Sequence, residues 1–124
     1  MQDFRELKVW QKSHGLVSCV YRITRRFPPE ELYGLTSQMR RAAVSIPANL
    51  AEGCGRKGRT EFAQFAHIAM GSASELKYYF LLAQELALIK SDEAHELILQ
   101  IDEIQKMLAG FIQKMRSSAT GKTP

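Results

Sequence analysis

The chain has 124 residues, 45% of them apolar and 24% charged, with a net charge of +4. That length and composition fit one globular domain that buries a core unaided, and they argue against disorder along most of the chain. No run of about 18 apolar residues spans a bilayer, and the charged stretch Met1–Lys12 lacks the apolar core of a secretion signal, so a cytoplasmic protein without a membrane partner is expected.

The first predicted helix runs from Phe4 to Arg26. Val9, Leu16, Val20, Ile23 and Phe27 recur at helical spacing, with Trp10, Val17 and Tyr21 beside them. Pro28 and Pro29 end it, since neither carries the amide hydrogen needed to extend the ladder. The second helix is expected over Leu35–Glu52, with a bend at Pro47 in its interior. Gly53, Gly55 and Gly58, interleaved with basic residues, close it and form a loop. Thr60 is the expected N-cap of the third helix, which runs to Ile89 and buries Phe62, Phe65, Ala66, Ala69, Ala73, Leu76, Phe80, Ala83 and Leu86. Ser91 is the expected cap of the fourth, whose stripe is Leu97, Ile98, Ile101, Ile104, Leu108, Phe111 and Met115. No alternating strand pattern competes. The fold class is therefore all-α: one antiparallel, up-and-down four-helix bundle over residues 1–116, with a frayed tail at 117–124.

Charge is unevenly distributed. Through Thr60 there are eleven basic and five acidic residues; beyond it, six basic and eight acidic. Arg5, Lys8, Lys12, Gly15, Cys19, Arg22 and Arg26 share one face of the first helix with few acidic neighbours in sequence. A ridge of unpaired cations is a footprint for phosphate backbone; the plainer reading is a solvated helix face. The loop Gly53–Arg59 adds Arg56, Lys57 and Arg59. It does not match a P-loop, whose glycines follow a strand, and its plainer reading is a flexible connection. Arg5, Lys8, Lys12, Arg22, Arg25, Arg26, Arg56, Lys57 and Arg59 are thus the candidate contacts to RNA or DNA.

Arg41, Ser45, Asn49, Glu52 and Glu75 fall where helices two and three should meet, which predicts a structural polar network that sets register or subunit contact. Glu52 and Glu75 are the carboxylate pair to weigh for catalysis, but no histidine or nucleophile is spaced to join them, so no catalytic residue and no enzyme is expected. Gly71-Ser72-Ala73-Ser74 reads as a small-residue stretch for close helix packing. His14, His67 and His95 include no Glu-x-x-His pair of the kind that binds metal in bundles, so neither metal nor cofactor is expected. Cys19 and Cys54 make no disulfide framework and read as reduced thiols. Asp92-Glu93-Ala94-His95 is similar to a helicase box, but without a P-loop it reads as a helix start.

The second helix carries a resemblance. Tyr33-Gly34-Leu35-Thr36, Gln38, Arg40-Arg41-Ala42 and Ser45-Ile46-Pro47-Ala48-Asn49-Leu50-Ala51-Glu52-Gly53 resemble the bacterial rRNA intervening-sequence proteins. Trp10, Tyr21, Phe27, Gly71-Ser72 and Glu75-Leu76 extend the match over Phe4–Met115. The resemblance implies a four-helix bundle that assembles into a ring-shaped homopentamer, in a family without an assigned biochemical role. The chain is also similar to accessory proteins of diversity-generating retroelements, basic pentameric bundles linked to reverse transcriptase and nucleic acid; this adds a nucleic-acid-associated protein to the expected partners. Such proteins often carry arginine before Gly71, where this chain has Met70, so a basic contact there is not carried over. Together these features predict a non-enzymatic oligomeric binding or scaffold protein whose basic surface meets nucleic acid. The alternative is a purely structural protein-interaction module.

Overall fold

The computed structural model describes residues 3–119. Four α-helices follow one another: α1 over Lys8–Thr24, α2 over Ser37–Cys54, α3 over Arg59–Glu85 and α4 over Ser91–Ala119. Short 3-10 turns at Phe4–Glu6 and Pro29–Glu31 flank α1, and a π-type turn at Leu32–Thr36 leads into α2. Helices adjacent in sequence pack together, α1 on α2, α2 on α3 and α3 on α4, while α1 also touches α4. This is an up-and-down helical bundle.

The apolar stripes meet in one core. Leu16 and Val20 of α1, Met39, Ile46 and Leu50 of α2, Leu76 and Phe80 of α3, and Ile101, Ile104 and Leu108 of α4 are almost wholly buried. α3 contributes Ala66, Ala69, Ala73 and Ala83, all fully buried, so its backbone lies close to α2 and α4. Gly53 makes the tightest approach: a Cβ there would sit 2.7 Å from Phe62 Cδ1 and 2.9 Å from Phe65 Cβ. A glycine is required where the end of α2 crosses the start of α3.

The element ends differ from the sequence reading in instructive ways. The first helix breaks at Leu7, whose backbone is extended (φ −75°, ψ 125°) between the Phe4–Glu6 turn and α1. The second helix is bent: helical geometry lapses at Gly34, and the pieces join into a helix that holds the buried Pro47 within it. α3 starts one residue before Thr60, after Gly58, whose φ of +87° favours glycine. It ends at Glu85 rather than Ile89. The Ala87 N–H donates to Gln84 O and the Leu88 N–H to Ala83 O, with Ala87 at φ 60°. These are the two bonds of a Schellman motif, built on alanine where glycine is usual. At the start of α4, Ser91 is the first helical residue and not the cap. The Lys90 N–H donates to Glu93 Oε1 at 3.0 Å, and the Ala94 N–H donates to Lys90 O. The glutamate reaching back supplies half of a capping box. α4 continues to Ala119, so the first residues of the expected tail, 117–119, lie within the helix. The rest of the expected tail, 120–124, lies outside the described residues.

Candidate nucleic-acid interface

The ridge on α1 is less bare than its sequence implies. Arg5 pairs with Asp3 at 2.7 Å, Lys12 with Glu103 at 2.5 Å and Arg26 with Glu93 at 2.6 Å. Arg22 donates to Cys19 Sγ at 3.3 Å. The expectation of unpaired cations therefore fails at Arg5, Lys12 and Arg26. Lys12 and Arg26 are met by carboxylates of α4, which sequence proximity cannot reveal. The Glu93 carboxyl is held below its ordinary pKa by the Lys90 N–H first and by Arg26 second. Lys8 and Arg25 are exposed and form no ion pair among the described residues.

Nor do the candidate contacts make a single patch. α1 has 17 residues, so about 25 Å separates its ends. Arg22, Arg25 and Arg26 sit at its C-terminal end. Arg5 and Lys8 sit at the other, where the Phe4–Glu6 turn packs on α2. That second end also holds the basic loop. Arg56 pairs with Glu52 at 2.8 Å and lies 4.9 Å over the Phe65 ring. Arg59 reaches across the bundle, its Nη1 3.9 Å from Met115 Sδ. This contact brings the last turns of α4, with exposed Lys114 and Arg116 flanking Met115, to Arg59 at the end of the loop that also carries Arg56 and Lys57. The sequence reading missed Lys114 and Arg116 because they lie in the acidic half of the chain. Cys54, just before the loop, is buried, and burial pushes its thiol pKa up.

The polar residues of α2 and α3 form separate groups. Arg41 donates to Glu75 Oε2 at 2.8 Å and to Gln38 Oε1 at 2.8 Å, and the Tyr79 hydroxyl donates to the same Glu75 oxygen at 2.5 Å. That bond to the carboxylate is the main reason the Tyr79 pKa is raised. Further along the seam, Ser45 and Ser72 share a hydrogen bond of 2.7 Å, and Asn49 Nδ2 donates to Ser45 O at 2.7 Å and to its hydroxyl at 3.0 Å. Glu52 stands apart, held by Arg56. The two carboxylates are thus engaged by different partners and face no common centre. Ser74 accepts from Gln105 Nε2 at 2.9 Å, and Ala73 is buried, but Gly71 is exposed and a Cβ there would meet nothing within 4 Å. Close packing, the reason expected for that glycine, does not operate within the chain. Among the described residues no group of three His, Cys, Asp or Glu side chains is placed to hold a metal ion, and no helix is long and apolar enough to cross a membrane.

A family model described as 23S rRNA-intervening sequence protein matches residues 5–110. The chain belongs to that family. A solved structure has the same fold: a protein of unknown function from the S23 ribosomal protein family of Bacteroides thetaiotaomicron, 24% identical. The match covers 85% of this chain and 95% of that one, with a TM-score of 0.79. No curated protein matches the chain. Neither the 23S rRNA-intervening sequence family nor this structural neighbour is described by a catalytic activity.

Proposed function

We propose that this protein is a non-enzymatic, self-associating scaffold that contacts the phosphate backbone of nucleic acid through the basic end of its bundle. The supporting observation is the contact of Arg59 with Met115, which joins the loop carrying Arg56, Lys57 and Arg59 to the end of α4 that carries exposed Lys114 and Arg116. Arg56 is braced by Glu52 and Phe65, while Lys57 has no carboxylate partner among the described residues. Side chains of this kind supply affinity for phosphate without reading bases. If several copies assemble, as the family resemblance implies, the basic end recurs in each, and weak contacts add.

The test is binding of the purified protein to labelled RNA and duplex DNA across a salt series. The expected result is affinity that falls steeply with salt, with a Lys57→Gln/Arg59→Gln variant losing about two units of the log–log slope. An unchanged slope overturns the assignment of this end.

A second reading has its own support. Ile68, Tyr78 and Leu81 of α3, Leu86 just past its end and Leu99 of α4 are about half exposed. Apolar area left outside the core favours contact between copies or with another protein. A protein that binds neither nucleic acid at low salt, yet has a solution mass several times that of one chain, would establish this reading in place of the first.

A further inference from the structure

At the end of the bundle opposite the basic loop, an open cleft of about 470 Å³ lies between the C-terminal turn of α1 and the start of α2. That is within the size range of small-ligand sites, about 300–1,000 Å³. Tyr21, Leu32, Tyr33, Arg40, Arg41 and Val44 line it.

Two features set it apart from an ordinary polar surface. The first is a cation fixed in place without a counter-charge. Arg40 Nε donates to the buried Thr24 Oγ1 at 2.9 Å, and its guanidinium lies 4.5 Å over the Tyr21 ring. Arg40 forms no ion pair among the described residues. Its neighbour Arg41 is matched by Glu75 instead. Thr24 in turn donates to Val20 O at 2.7 Å, so the support beneath Arg40 is itself anchored. The terminal amino groups of Arg40 are pre-oriented donors, the arrangement that recognises phosphate with little ordering cost. The second feature is Tyr33, 92% exposed at the lip of the cleft, with half-exposed Leu32 beside it. A bare aromatic ring next to an unmatched guanidinium offers a stacking face and an anion site together. Arg25, four residues after Tyr21, carries a further unpaired charge along the same side of α1.

We propose that this cleft holds an unpaired nucleotide of a single-stranded nucleic acid, its base stacked on Tyr33 and its phosphate on Arg40. The proposal rests on the reading of the protein as a nucleic-acid binder and adds a second, chemically different site to it. The basic loop takes backbone charge in any strand form; the Tyr33 ring requires a base out of its stack. The cleft is too open to enclose a free mononucleotide, whereas a strand continuing toward Arg25 gains a second phosphate contact.

The experiment measures affinity of a labelled single-stranded RNA of about 12 nucleotides and of a duplex of the same length for the wild-type chain, Tyr33→Ala and Arg40→Gln, with solution mass measured for each. Tyr33 is almost wholly exposed, so its removal leaves the core intact. The expected result for Tyr33→Ala is about five- to a hundredfold weaker single-strand binding, with the salt slope and duplex affinity unchanged. Arg40→Gln should weaken single-strand binding and lower its salt slope by about one unit. Wild-type protein that binds duplex but shows no loss of single-strand affinity on Tyr33→Ala overturns this proposal and leaves the basic end standing. Failure of both nucleic acids to bind overturns both. A change of solution mass in Tyr33→Ala would overturn it too, by making this cleft a contact between copies. Competition by a mononucleotide as strong as that by the strand would overturn the single-strand assignment.

Discussion

The seam between α2 and α3 and the two ends of the bundle use the same residue types for opposite purposes. Along the seam Arg41, Glu75, Gln38 and Tyr79 satisfy one another, as do Ser45, Ser72 and Asn49. At the ends, Arg40 and Lys57 face solvent or a cleft without a carboxylate among the described residues. An arginine matched by a carboxylate from a neighbouring helix sets register. An arginine braced by a hydroxyl and a ring, as Arg40 is, keeps its charge for a partner. What separates the two roles is pairing and not position on a helical wheel.

The comparison breaks most sharply at Gly53, where the seam closes. Gly53→Ala places a methyl group 2.9 Å from Phe65 Cβ, an atom that cannot swing aside without moving the α3 backbone. Loss of about 1–3 kcal/mol is expected, measured by urea unfolding. A neutral result would mean that α2 and α3 are free to part at this crossing. Glu93 has the next effect. Its carboxyl pKa is lowered in the folded state, so the stability it adds is present above the ordinary carboxylate value and is lost as pH falls through the folded one. Glu93→Gln should lower stability by about 1 kcal/mol at neutral pH and flatten the acid limb of the stability profile. An unchanged acid limb would show that Arg26 and the Lys90 N–H do not bias its ionisation. Smaller again is the link between Arg41 and Glu75. Both side chains are more than a third exposed, so a double-mutant cycle to alanine should give a coupling of about 0.5 kcal/mol. A coupling of zero would reduce this pair to surface decoration.

Much of the bundle is legible in the chain because periodic apolar burial is a local property. The stripes of all four helices follow from spacing, except that Leu86, expected on the buried face of the third helix, falls just past its end and is half exposed; the stop before Pro28 and Pro29 and the end of α2 near Gly53 follow from backbone chemistry. The errors occur where a structure lacks its usual residue or depends on distant chain. Leu7 breaks the first helix with neither proline nor glycine to announce it. Ala87 ends α3 in a left-handed conformation that normally signals itself through glycine. Arg26 meets Glu93 from 67 residues away, so a ridge that reads as bare is partly neutralised. The cleft of Tyr21, Tyr33 and Arg40 is hidden for the same reason: its parts come from a helix, a turn and another helix. Its one local signal is a Tyr33 that belongs to no apolar stripe.

The smallest effect on stability carries the most weight for function. Among the described residues Lys57 is exposed and makes no ion pair, and Arg59 makes no ion pair either, its side chain reaching the Met115 sulfur at 3.9 Å. Lys57→Gln/Arg59→Gln should therefore change unfolding free energy by no more than about 0.5 kcal/mol, while salt-dependent binding to nucleic acid drops. Residues that support a fold and residues that support a ligand separate on these two axes: the Gly53 change moves stability first, the loop change moves binding alone. Should the loop variant lose stability on the scale expected for Gly53→Ala, the basic end would be part of the scaffold, and its charge would have to be explained by contacts within or between chains.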